Sequence, residues 1–148
     1  MNSSNHLTQA EHNAKLTSEL SAEATDYVDW NITATFYEAV HYVDAYSATV
    51  DHSGTPPYAS HKNREVWIQR NLPRSFMTDY RTLKNRSRDA RYTTPFSTLQ
   101  SQQERQNAIE IRQSELKRLK DELRKRGLTI PMTPSSPALV KAAEVIRS

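Results

Sequence analysis

The residues in this chain best suited to chemistry fall between Glu38 and Tyr92. Arg74, Arg81 and Arg88 recur every seven residues, and Lys84 and Arg91 lie close to the same line. A helix through them carries all five on one side. Such a row of cations meets the phosphates of RNA or another polyanion and releases counterions on binding. The row is also satisfied if it pairs with the acids of residues 19–51, so two readings stand open. Just upstream lies Ser60-His61-x-x-Arg64. His61 stands at a helix N-terminus, where the macrodipole disfavours imidazolium and favours a nearby anion. Ser87 and Arg91 share a face at i, i+4. If the two segments lie side by side, Ser60, His61, Arg64, Tyr80, Ser87, Arg91 and Tyr92 line one polar notch. The competing reading is a buried polar network that fixes the packing of two helices.

Other chemistries find less support. Glu38-Ala-Val-His41 is a Glu-x-x-His unit of the kind found in carboxylate-bridged di-metal bundles, but those sites need two copies and further carboxylates. His41-x-x-Asp44 extends the stripe without adding a second helix. No metal ligands and no cofactor are expected, and His41 reads as a half-buried histidine bonded to a neighbour. With no cysteine, thiol nucleophiles, disulfides and Cys-ligated zinc are excluded. The only glycines are Gly54 and Gly127, too few and too scattered for a phosphate-cradling loop. No Gly-x-Ser-x-Gly turn exposes a serine nucleophile.

These residues need helices to hold them. The chain has 148 residues, of which 36% are hydrophobic and 25% charged, with a mean hydropathy of −0.82. That suits one modest core with solvated helices or tails. Residues 7–22 predict a thin first helix through Leu7, Ala10, Ala14 and Leu20. After a cap at Asp26 or Asp29, a helix runs to about Asp51. Ile32, Phe36, Ala39, Val40, Val43 and Val50 form one apolar face of it, and Trp30, Ala34, Tyr37, His41 and Ala48 form another. A helix apolar on two sides is central. Gly54 and Pro56-Pro57 break the chain. Ser60 caps a third helix that buries Trp67, Ile68 and the Arg64 stem. Pro73 suits the first turn of a fourth helix, which buries Phe76, Tyr80, Leu83, Ser87 and Ala90 and ends at Thr93-Thr94-Pro95. Residues 96–126 read as a long polar helix, with Ile109, Leu116 and Leu123 in one seam and Arg112, Leu119 and Arg126 in a second. Gly127 suits the position after a helix end. Pro131, Pro134 and Pro137 form a linker to a short tail helix whose sticky face holds Leu139, Ala142, Ala143 and Ile146.

The fold class expected is therefore all-α, an up-down bundle of four to five helices with a long C-terminal helix and a short tail helix. Its parts are a bundle over 1–95, a long helix over 96–127 and a linker with tail helix over 128–148. Charge is divided along the chain. Residues 1–60 hold one base and eight acids, net −7, and residues 61–126 hold 17 bases and eight acids, net +9. No apolar run approaches the ~20 residues of a membrane span, and the N-terminus lacks the marks of a signal peptide, so a cytoplasmic protein is expected.

The pattern Asp29-Trp30, Phe36-Tyr37-x-Ala39-x-His41, Ala45-Tyr46, then Ser60-His61-x-x-Arg64, then Tyr80-x-x-Leu83-x-x-x-Ser87-x-x-Ala90-Arg91-Tyr92 resembles small prokaryotic members of the HEPN superfamily. The resemblance covers about residues 26–92; the tails and the helix after Phe96 fall outside it. It implies a helical bundle, usually a homodimer. It places the chain among ribonuclease toxins, toxin–antitoxin and phage-defence components, and non-catalytic modules that bind RNA or nucleotide. Many such toxins pair with a nucleotidyltransferase-type antitoxin. The ribonuclease motif of the superfamily is an Arg followed four to six residues later by a His. Here the first arginine is Arg64 and the last histidine is His61, so the motif is absent. Cleavage would need another set, His61 with Arg64 or Arg91, acting without metal as base and phosphate clamp. Three functions follow as expectations. The first is an RNA- or nucleotide-binding module working through Arg74, Arg81, Lys84, Arg88 and Arg91. The second is a divergent ribonuclease, and the third is an assembly partner working through residues 96–148.

Overall fold

A computed structural model describes residues 3–20, 27–50, 60–92 and 101–131. They form five helices: α1 (Ser3–Glu19), α2 (Val28–Val50), α3 (His61–Asn71), α4 (Arg74–Tyr92) and α5 (Gln102–Lys125). There is no strand among the described residues, and the architecture is an all-α bundle. The Gly54 and Pro56-Pro57 break, the Thr93-Thr94-Pro95 stop, the first residues of the expected long helix, and the tail helix all lie outside the described residues.

α2 is the central helix, with 16 of its 23 residues buried. It packs against α1, α4 and α5. This is what two apolar faces on one helix require. Two expectations on it fail. Val50 is 52% exposed rather than buried with the first face, and Trp30 is 56% exposed rather than buried with the second. At this end the core consists of Val28 and Ile32 from α2, Ala90 from α4 and Ile109 from α5, and Trp30 stands outside that cluster.

Ser60 caps α3, its hydroxyl accepting from the Asn63 amide at 3.0 Å. Arg64, Trp67 and Ile68 are the buried residues of α3. Pro73 directly precedes α4 and accepts from the Met77 amide at 3.2 Å. Phe76, Tyr80, Leu83, Ser87 and Ala90 are all buried, as their i, i+4, i+7 spacing demands.

α5 starts at Ser101, whose hydroxyl accepts from the Glu104 amide at 3.0 Å. Its seam of Leu116, Leu119 and Leu123 lies in the same core as Phe36 and Val40 of α2 and Tyr80 and Leu83 of α4. Residues 96–127 read in sequence as a separate helix for a dimer seam or a partner. The described part of that helix instead spends its apolar seam on α2 and α4. Arg112 of the second seam is buried and pairs with Glu115 at 2.7 Å, whereas Arg126 is exposed and pairs with Glu122 at 2.9 Å. Gly127, at φ +105°, ends the helix. Its amide bonds Arg124 O and the Leu128 amide bonds Leu123 O, both at 3.0 Å. This double closure drops Leu128 and Ile130 into the main core.

α1 begins earlier than its apolar spacing indicates, and polar groups dock it. Ser3 Oγ donates to Ala45 O at 2.9 Å. Asn31 Nδ2 donates to Thr17 O at 3.1 Å and to Leu20 O at 2.7 Å. Ala10 is fully buried, but so nearly are His6 and Thr17.

Candidate functional site

The third helix reaches the centre of the bundle through Arg64. Three residues after His61, it turns inward and meets Asp44 of α2. Arg64 Nε donates to Asp44 Oδ1 at 2.8 Å and Nη2 to Oδ2 at 3.0 Å. Both side chains are almost wholly buried, at 6% and 2% exposure. Burial works against the guanidinium charge, but the hydrogen bonds and charge of Asp44 outweigh it and raise the Arg64 pKa. A bidentate fork of this kind fixes both partners in position and angle. The Tyr80 hydroxyl is buried beside this guanidinium without a well-formed hydrogen bond among the described residues, and burial raises its pKa. Here an acid of the negative front meets a base of the positive middle, so internal pairing is realised at Arg64.

The remaining Arg64 nitrogen, Nη1, lies 3.1 Å from His61 Nδ1. His61 itself is exposed. Its pKa is lowered by partial burial and then by Arg64, Lys84 and Arg91, with Glu65 opposing. The imidazole is therefore held toward its neutral form by burial first and by the neighbouring cations second. Its ring centroid lies 6.3 Å from that of Tyr37 on α2. The Arg91 guanidinium sits over the other part of this platform, 5.7 Å from the Tyr37 centroid. Arg91 Nη1 also donates to Ser87 Oγ at 2.6 Å.

His61, Arg64, Ser87 and Arg91 thus come to one region, with Tyr37 joining the two pairs. Several members of the expected notch play other parts. The Ser60 hydroxyl is committed to capping α3. Tyr80 and Ser87 are fully buried and support the site from below. The side chain of Tyr92 lies outside the described residues. Arg64 faces Asp44 from inside the core, so its guanidinium is committed to that carboxylate, with Nη1 left beside His61. The groups left facing outward are His61 and Arg91, with Tyr37 half-buried and neighbouring both.

The α4 row continues from this cluster. Arg74, Arg81, Arg88 and Arg91 are exposed and Lys84 is half-buried. Glu65 of α3 meets Lys84 at 3.1 Å and Arg81 at 3.7 Å. Among the described residues no carboxylate lies within ion-pairing distance of Arg74 or Arg88. Asp79 on the same helix is engaged elsewhere, accepting both forks of Arg118 from α5 at 2.9 Å.

Behind the Asp44–Arg64 pair lies a residue that periodicity could not reveal. His6 of α1 is 3% exposed, and its Nδ1 is 3.3 Å from Nδ1 of His41. Burial lowers the pKa of both rings; Asp44 opposes this and Arg64 reinforces it. Ligand-type atoms of His6, His41 and Asp44 all lie within 4.8 Å of one another. Glu38, one turn before His41, is buried among apolar groups beside Lys120, and burial raises its pKa to about 7. The single Glu-x-x-His unit is therefore split, with His41 and not Glu38 joining the histidine–aspartate cluster.

No protein-family model matches the chain, and no curated protein or solved structure is significantly similar to it.

Proposed function

We propose that the chain is a HEPN-like helical module that binds RNA or a nucleotide along the outer face of α4. One observation carries this reading. The cations Arg74, Arg81 and Arg88 stay exposed along one rigid helix, and the row leads to a cluster where Tyr37 neighbours both His61 and Arg91. An arginine held over an aromatic ring, with a row of cations beyond it, offers contacts for successive phosphates. Arg81 and Lys84 share one carboxylate, so the face keeps a surplus of positive charge.

The ribonuclease alternative rests on His61, a near-neutral imidazole with cations around it. It loses Arg64 as a phosphate clamp and keeps only Arg91. The toxin–antitoxin or phage-defence setting, a homodimer and a nucleotidyltransferase-type antitoxin follow from the sequence resemblance alone and are the natural partners to test next.

The test is fluorescence anisotropy with a labelled single-stranded RNA and the full chain. Joint reversal by Arg81→Glu and Arg88→Glu is expected to weaken binding at least tenfold while leaving the helical circular dichroism unchanged. Equal affinity of the folded double variant would overturn the reading. Cleavage of the RNA by the wild type that His61→Ala abolishes would move the function to the ribonuclease alternative.

A further inference from the structure

We propose that His6, His41 and Asp44 form a binding site for a divalent transition-metal ion of the Zn2+ class. The two Nδ1 atoms stand 3.3 Å apart. Ligands on a tetrahedral ion with metal–nitrogen bonds of ~2.0–2.1 Å are themselves about 3.3 Å apart. The two helices therefore already hold both imidazoles at the bite of such an ion. Asp44 completes a two-histidine, one-carboxylate set within the 4.8 Å span. Each Asp44 oxygen accepts one Arg64 N–H and keeps a further lone pair for an ion. Arg64 then acts as the outer partner that orients the ligating carboxylate.

The donor set decides the class of ion. Two imidazoles and one carboxylate suit Zn2+, Co2+ or Fe2+, while Ca2+ and Mg2+ prefer all-oxygen shells. The Arg64 charge opposes a second cation nearby, so the site is expected to bind reversibly and more weakly than a closed structural zinc site. One ligand is on α1 and two are on α2, so binding clamps the first helix to the central one. None of the three residues lies on α4, and the inference stands independently of RNA binding.

The test is titration of the chelator-treated full chain with Co2+, followed by its visible absorption, and with Zn2+, followed by the melting temperature. One ion per chain is expected, with Zn2+ raising the melting temperature. His6→Gln and His41→Gln are each expected to weaken binding at least tenfold, while His12→Gln, on the exposed face of α1, leaves it unchanged. Absence of saturable one-to-one binding, or equal affinity of the His6→Gln chain, would overturn the proposal. Because His41→Gln risks loosening the core, paramagnetic broadening by Co2+ in the wild-type chain gives an independent reading. Broadening centred on residues 3–10 and 37–48 supports the site, and broadening centred elsewhere refutes it.

Discussion

Asp44 and Arg64 set the geometry of everything around them. Two charges at 2.8 Å with almost no solvent access depend on each other. Removing one leaves the other buried and uncompensated, which costs about 3–5 kcal/mol. Asp44→Asn is therefore expected to lower the unfolding free energy by an amount in that range, whereas replacing both partners with apolar residues of similar volume restores most of the stability. Unfolding curves of the single and double variants check this; a single variant as stable as wild type would contradict it. Glu38 sets a second expectation. Its folded-state pKa of about 7 lies above the ordinary carboxylate value because burial disfavours the charge. The unfolded chain thus ionises first, and the stability this residue confers is full below about pH 4.5 and is lost as pH rises toward 7. The loss reaches about 3 kcal/mol. His6 and His41, with lowered pKa values, act in the opposite direction over part of that range. The difference between wild type and Glu38→Gln isolates the carboxyl: the variant is expected to gain relative stability between pH 5 and pH 8, and a pH-independent difference would contradict the account. The polar pairs His61–Arg64 and Ser87–Arg91 were legible in sequence as helical spacings. The roles of His6 and Tyr37 were not, because each depends on which residue of another helix stands opposite.

The inner face of α4 could be read from spacing alone, since five buried positions at helical intervals allow one orientation. The central place of α2 was legible for the same reason. α5 was legible as a helix with a seam but not in its partner, because a heptad seam looks the same whether it meets its own bundle or another chain. α1 was the least legible element. Ser3, His6, Thr17 and Asn31 dock it through polar contacts, and such contacts leave no hydrophobic period. The end of α5 offers a sharp check at this scale. Gly127 takes a positive φ of 105° and has open space around its Cα, so a side chain there meets backbone strain and no clash. Gly127→Ala is expected to cost about 1–2 kcal/mol in thermal or chemical unfolding. A neutral effect would mean that the turn delivering Leu128 and Ile130 to the core is not a constraint.

Across the described residues, the acidic front and basic middle meet in the interior at Asp44–Arg64, with Glu38 beside Lys120 as a second buried contact. The α4 row faces outward, with Glu65 pairing Arg81 and Lys84. Among the described residues no helix is long and apolar enough to cross a membrane. The claim on which this account turns is that the exposed α4 cations bind phosphates, and the salt dependence of RNA affinity tests it most directly. For the full chain, log affinity is expected to fall linearly with log salt, with each phosphate contact contributing about 0.7 to the slope on single-stranded RNA. Arg88→Gln is expected to reduce that slope by about one contact, roughly 0.7. An affinity that does not change with salt, or a slope unchanged by Arg88→Gln, would contradict it.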